Sequence, residues 1–232
     1  MKQVTAYGLS TYDFIYRIKG DEISGAILFP NVVKVGGVYN FLRVLEKSST
    51  VSASCIREGT DPLPIIILPN GKKLTLKNSA WSETSFSSVP KSDWHHLMYL
   101  DTCGFNFDSF NDGIISADVV SDLNPYMDIL PKLDFLFISL ENASTLLKEA
   151  GKLVKQAIIL HSSDGVAVVK NGIITDIAET ERIENINCIG AGDYLAAFFA
   201  EEYLLSNDIT QSAINAKDRT SLYLKENQQW DQ

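Results

Sequence analysis

The sequence predicts an α/β fold, with a mostly parallel sheet covered by helices. Three observations carry this. Apolar strand-like runs alternate with amphipathic helical runs through the second half of the chain, the pattern of crossover-connected parallel strands. The first third is richer in strands and turns and predicts a small sheet beside the main one. The chain is 232 residues long with 45% apolar and 21% charged residues, enough for a sizeable core and too apolar for disorder.

In chain order, Val4 to Gly8 reads as a short buried strand ending in a turn. Phe14 to Ile18 and Ala26 to Val35 read as further strands, separated by a polar GDEISG turn. Tyr39 to Leu45 has helical spacing, with Phe41, Leu42 and Leu45 on one face. Val51 to Ile56 reads as a strand ending at Gly59-Thr60-Asp61-Pro62. Pro64 to Leu68 and Lys73 to Leu76 flank Pro69-Asn70-Gly71, a hairpin signal, because Asn-Gly supplies the positive-φ residues of a tight turn. His96 to Leu100, Gly113 to Ser121 and Phe135 to Ile138 read as short strands. Asn142 to Lys155 is an amphipathic helix with Leu146, Leu147, Ala150, Leu153 and Val154 on one side. Ala157 to Leu160 and Val166 to Val169 are strands, and Asn171-Gly172 turns the chain back through Ile173 and Ile174. Asp193 to Leu205 and Thr210 to Leu224 are helices, and the polar tail from Lys225 frays.

A formal net charge of -9 argues against a general nucleic-acid binder, since a polyphosphate backbone calls for a basic surface. One nucleotide would need only a local cradle. The three cysteines, Cys55, Cys103 and Cys188, are far apart, with no C-x-x-C pair. The expectation is a reduced, cytoplasmic protein without a membrane span. His95 and His96 would point to opposite faces of a strand, and His161 lies alone, so no metal site is expected. The chain has no G-x-S-x-G elbow and no Walker-type phosphate loop.

Gly190-Ala191-Gly192-Asp193 opens an unusually apolar helical run. Small residues let backbone N–H groups approach a ligand, and a helix start adds unpaired N–H groups and the positive end of its dipole. An anion would be stabilised there, with the Asp193 carboxylate beside it as a general base. That is a phosphoryl-transfer arrangement. A plain turn with an acidic first-turn residue would read the same way. Gly36 and Gly37, followed by Asn40, form a second constellation, in which a glycine pair opening a helix admits a ligand and Asn40 offers donor and acceptor groups. Asp13, in a Gly-Leu-Ser-Thr-Tyr loop region, could accept bonds from substrate hydroxyls. Taken singly, the glycine pair reads as a strand-to-helix turn and Asp13 as a turn residue.

In this order the pieces resemble the ribokinase-like (PfkB-type) carbohydrate kinase family. The early strand with Asp13, Gly36-Gly37 with Asn40, the strand ending Gly59-Thr60-Asp61-Pro62, the PIIILPNGKKLTL hairpin, DVVSDLNPY with Asp122 and Asn124, AIILHSSDGVAVVKNG and GAGD follow the family's succession from about residue 4 to 224. The resemblance implies a three-layer sandwich forming a single domain, with a small β lid from about 14–35 and 64–77. It implies ATP-dependent transfer to a hydroxyl of a sugar or nucleoside, with Asp193 as base and the N–H groups of Ala191, Gly192 and Asp193 as an anion hole. Asp13, Gly36, Gly37 and Asn40 would bind substrate, Ser162 and Gly165 would lie on the nucleotide side, and magnesium would ride on phosphates and water. In this family the lid can pair between subunits, and residues 14–35 with 64–77 could do so here, giving a homodimer.

The sequence also departs from the family. Asn187 stands where the family's D-T-x-G-A-G-D opens with aspartate, and Cys188 and Ile189 follow it. The Asn-x-x-Glu motif falls on Ser139-Leu140-Glu141-Asn142, and the usual Thr-x-Gly falls on Leu160-His161-Ser162. After Asp61-Pro62 a helix and a strand are missing. Three readings stand: an active small-molecule kinase, a degenerate relative that binds without efficient transfer, and a plain α/β interaction domain.

Overall fold

The structure is a computed structural model and describes residues 1–18, 30–68, 73–75, 84–85, 89–100, 103–119, 122–143, 145–181, 183 and 186–228. Its elements are β1 (Lys2–Arg17), β2 (Val32–Gly37), α1 (Val38–Leu45), β3 (Val51–Ile67), β4 (Lys73–Thr75), β5 (Thr84–Ser85), β6 (Trp94–Leu97), β7 (Cys103–Gly104), β8 (Ile114–Val119), β9 (Phe135–Ser139), α2 (Leu147–Leu153), β10 (Ala157–Ser162), β11 (Gly165–Lys170), β12 (Ile173–Glu179), α3 (Ala191–Ser206) and α4 (Ile209–Asn227).

The main sheet runs β12-β11-β10-β9-β8-β6-β1-β3-β4, with β2 also on β1. The run from β3 through β1, β6, β8 and β9 to β10 is parallel throughout. Antiparallel pairs flank it: β10 with β11, β11 with β12, β1 with β2 and β3 with β4.

Alternation along the central strands builds two cores, because successive side chains of a strand leave opposite faces. Phe135, Phe137, Ala157 and Ile159 join α1, α3 and α4 on one face. Leu136, Ile138, Ile158 and Leu160 join Ala150 of α2 and the short turns carrying Leu123, Leu130 and Leu133 on the other. The result is helix, sheet, helix. Helix α3 is apolar nearly all round because it is buried, with Tyr194 through Ala200 all at or below one-tenth exposure. Its one deeply buried charge outside the glycine loop, Glu201, is met by Arg219 Nη2 and Thr50 Oγ1, each at 2.6 Å.

Strands β1 and β3 differ from expectation. Each is one long strand where the sequence suggested shorter pieces, so Asp13 lies within a strand rather than a loop. The expected turn at Gly59-Thr60-Asp61-Pro62 is a bulge. Leu9 pairs Glu58 and Ser10 pairs Thr60, which leaves Gly59 unpaired while the ladder runs on to Ile67. An extra residue in one strand is absorbed by a local kink, and glycine is the residue that tolerates it.

The first halves of β1 and β3 belong to the main sheet, and their second halves extend beyond it to receive β2 and β4. This extension occupies the place expected for the lid. It has its own small core of Ile15, Ile65 and Ile189, flanked by Val32, Leu63 and Ile67. Residues 19–29, 69–72 and 76–77 of that expectation, including the Asn70-Gly71 turn, lie outside the described residues.

Elsewhere, α2 is shorter than the predicted Asn142–Lys155 helix, and Leu140–Asn142 forms a 3₁₀ turn before it. Asn, Ser and Thr at 142–145 favour turns over helix interiors. Strand β6 starts earlier than expected and ends at Leu97, two residues before Tyr99 adopts φ 62°. Asn171 and Gly172, at φ 52° and 77°, turn β11 into β12 as the sequence suggested. Among the described residues no helix is long and apolar enough to cross a membrane.

Candidate active site

Gly190 is the residue at which the chain enters α3. Its φ of 88° is a left-handed conformation that an L side chain resists, and a Cβ there would stand 2.8 Å from Asn40 Nδ2. The glycine therefore brings the α3 start against α1. Gly37 does the matching job on the other side. At φ 60° it starts α1, and a Cβ would meet the Leu9 carbonyl oxygen at 2.2 Å. Asn40 is thus delivered, buried, to Asp193, and its Nδ2 donates to Asp193 Oδ2 at 2.8 Å.

Asp193, in the first turn of α3, is only 6% exposed. Tyr99 Oη donates to both its oxygens at 3.1 Å. Burial raises its pKa from 3.8 to about 6, while the bonds from Asn40 and Tyr99 pull it down, Asp13 raises it and Lys34 lowers it. A carboxyl group that titrates near 6 at a helix start can take up or release a proton close to neutral pH.

Asp13 is 2% exposed and accepts from Thr11 Oγ1 at 2.7 Å. Burial raises its pKa, and the Thr11 bond, Lys34 and Arg43 oppose that. Gly36 makes room for it, because a Cβ at Gly36 would lie 2.1 Å from Asp13 Oδ2. Lys34 pairs across the ladder from Asp13 and reaches the α3 loop, donating to the Ile189 carbonyl at 2.8 Å. One cation thereby serves both carboxylates and fastens β2 to the loop before the glycines.

The loop itself is ordered locally. Asn187 Oδ1 accepts from the Ile189 N–H at 3.1 Å, and the Asn187 N–H donates to the Gln228 carbonyl at 2.8 Å. The Ala191 N–H donates to the Cys188 carbonyl at 3.1 Å. This differs from the expected three-amide cradle: in this conformation Ala191 is engaged, and the N–H groups of Gly192 and Asp193 have no acceptor among the described residues. A Cβ on Gly192 would stand 3.1 Å from His161 Cε1. His161 at the end of β10 therefore lines the loop, where the sequence had left it alone.

Ser162 and Gly165 pair across the β10–β11 turn. Ser162 Oγ accepts from the Asp164 N–H at 3.1 Å, and Gly165, at φ 145°, approaches the Ala178 carbonyl. Hairpin geometry accounts for both. Asp122 and Asn124 likewise close a local turn through the Asn124 N–H. The structure thus brings together Asp13, Gly36, Gly37, Asn40, Gly190, Gly192 and Asp193, and adds Lys34, Tyr99 and His161. Nothing in the sequence around Tyr99 marks it. His161 had one signal, its place in the Leu160-His161-Ser162 segment.

No protein-family model matches the sequence, and none of the curated proteins does. Solved structures do match in fold. The nucleoside kinase of Methanocaldococcus jannaschii, an archaeal member of the ribokinase family, is similar with a TM-score of 0.70 at 13% identity, over 97% of this chain and 92% of that one. The ribokinase of Thermotoga maritima matches with a TM-score of 0.68 at 16% identity, over 97% and 93%. A pyrophosphate-dependent kinase in the ribokinase family, solved with a pyrophosphate analog and myo-inositol, matches at 0.66 and 14% identity, over 96% and 95%. The chain has the ribokinase-like fold.

Proposed function

We propose that this protein transfers a phosphoryl group from ATP to a hydroxyl of a sugar or related small molecule. The observation that carries this is the Asp193 carboxylate: buried, raised to about 6, and set at a helix start beside the N–H groups of Gly192 and Asp193. Asp193 takes the proton of the acceptor hydroxyl, the acceptor oxygen attacks the terminal phosphorus, and the nucleotide leaves as the diphosphate. The two amides and the α3 dipole stabilise charge on the phosphoryl oxygens. Asp13, whose carboxylate fits against the bare Gly36 backbone, binds acceptor hydroxyls, and Asn40 holds the base in place.

Glycine at 190 and 192 lets Asn40 and the His161 ring pack against the α3 start, and the N–H groups of Gly192 and Asp193 at that start suit an anion. Among the described residues no group of three or more His, Cys, Asp or Glu side chains is placed to hold a metal. Magnesium would ride on the phosphates and water, where it would neutralise charge. In this reading Ser162 and Gly165 lie on the nucleotide side, the chain is a single domain that works in the cytoplasm, and the β2 and β4 extension is a lid through which two copies can pair.

The test is product formation with purified protein, magnesium and ATP against sugars, nucleosides and myo-inositol. Pyrophosphate serves as a second donor, because one similar structure is of a pyrophosphate-dependent kinase. Phosphorylated product that disappears in Asp193→Asn supports the reading, and equal rates in parent and variant overturn it.

A second reading is binding without efficient transfer. It is favoured by the Ser139–Asn142 segment, where Glu141 is exposed on the 3₁₀ turn. Ligands that raise the melting temperature without any product would establish it.

A further inference from the structure

We propose that Tyr99 is a positioning residue that holds the acceptor's place on Asp193 and keeps water off the base until an acceptor arrives. This rests on the phosphoryl-transfer reading above and adds a guard against hydrolysis to it.

The Tyr99 hydroxyl stands 3.1 Å from Asp193 Oδ1 and 3.1 Å from Oδ2. A donor equidistant from both oxygens straddles the carboxylate edge that it faces, and Asn40 already donates to Oδ2. An acceptor hydroxyl must donate to this same carboxylate to lose its proton. The phenol therefore makes the contact that the acceptor would make. It also lies within the field of Asp13, the second carboxylate assigned to the acceptor.

The contact is built to be displaced. A hydroxyl on a carboxylate ordinarily closes to about 2.5–2.7 Å, and two equal contacts at 3.1 Å are looser than that. Burial and the neighbouring carboxylates keep the phenol protonated, so it acts here as a donor to the base. The backbone that aims it is special. Tyr99 has φ 62°, and its N–H donates to Oδ1 of Asp118, a buried residue on β8. A bulky residue in a left-handed conformation is held there by its surroundings.

Water is a hydroxyl donor of the same kind. With a phosphoryl donor bound and the carboxylate edge open, a water oxygen would attack phosphorus. Asp193 would take the water's proton, and the bond to the leaving nucleotide oxygen would break, releasing diphosphate and inorganic phosphate. The Tyr99 hydroxyl closes that edge in the absence of acceptor.

Nucleotide binding to the parent protein is measured first by calorimetry. Its absence would bring down the phosphoryl-transfer reading, and this proposal with it. ADP release without acceptor is then compared in the parent, Tyr99→Phe and Tyr99→Asn. Phe keeps the ring, and Asn suits a positive φ. The expected result is a several-fold rise in both variants, abolished by adding Asp193→Asn. The acceptor KM is expected to fall in Tyr99→Phe, since the phenol no longer competes, whereas a merely structural role would lower kcat and leave hydrolysis alone. Carboxyl ¹³C titration is a readout free of turnover, and loss of the phenol's bond moves Asp193 upward from about 6. Hydrolysis no faster than the parent's in both variants, with nucleotide bound, would overturn the proposal. So would an unmoved Asp193 titration in Tyr99→Phe.

Discussion

The Asn40 side-chain amide donates to Asp193 Oδ2 at 2.8 Å across 153 positions of sequence, and this one bond joins the α1 start to the α3 start. Because it favours the ionised carboxylate, removing it leaves burial to act with less opposition. Asn40→Ala should raise the Asp193 pKa above about 6 and shift the acid limb of the activity profile to higher pH. Stability should fall by about 1–3 kcal/mol, because a buried carboxylate loses one of its two side-chain donors and keeps only Tyr99. Rate against pH, with a urea melt, measures both. An unshifted acid limb in a folded variant would remove Asn40 from the control of Asp193.

The raised Asp193 also makes a stability prediction. Its folded pKa, about 6, lies above the unfolded value near 3.8, so between these the folded state binds more protons. Stability from this group is greatest below pH 4, is lost as pH rises to about 6, and stays lost above. Asp193→Asn should therefore be more stable than the parent at pH 7, by roughly 2–4 kcal/mol, with the gap closing towards pH 4. Its transfer rate should drop by about 10²–10⁴-fold. Paired melts at pH 4 and pH 7.5 test this, and a gap that does not depend on pH would refute it.

Gly190→Ala should strain the α3 entry, because φ 88° disfavours a side chain and the new Cβ would press on Asn40 Nδ2 at 2.8 Å. The expected loss is about 1–3 kcal/mol, together with displacement of Asn40 from Asp193. An amide NMR spectrum of Asn40 would register the second effect even where the melt changes little.

His96 makes an acid-side prediction of opposite sign. It is fully buried, stacks on Phe41 at a 4.5 Å centroid distance, and receives or gives one bond at Nδ1 to Ser116. Burial lowers its pKa from 6.5 to about 3. The unfolded chain takes up a proton below pH 6.5 and the folded chain resists until about pH 3, so stability falls steadily through that window as pH drops. His96→Gln should flatten the slope between pH 6 and pH 3.5 in denaturant melts monitored by circular dichroism. An unchanged slope would show that other groups set it.

Much of the site was legible because its parts are local. A glycine needed for a left-handed entry, as at Gly190, and a carboxylate in the first turn of a helix, as at Asp193, are written in adjacent residues. The alternation in β9 and β10 was legible for the same reason, since period two reports a strand with two covered faces. Asp13 has the sequence surroundings of a loop residue, and the structure sets it within β1. The pairing that extends β1 comes from β2 and β3, and no local pattern encodes it. Around Gly59 the sequence signals a turn, because glycine and proline punctuate turns and bulges alike, and only the partner strand decides between them.

The α/β class, the two-faced central strands and the glycine loop with its carboxylate are written in the amino-acid order. These follow from periodicity and backbone sterics within a few residues. Long-range packing is what makes Asn40, Tyr99 and Lys34 converge on that loop, sets His161 beside it and turns the Ala191 N–H back to Cys188. Burial and electrostatic field depend on what the rest of the chain packs around a residue. The ordinary acid written at position 193 therefore becomes, in the folded molecule, one that titrates near 6.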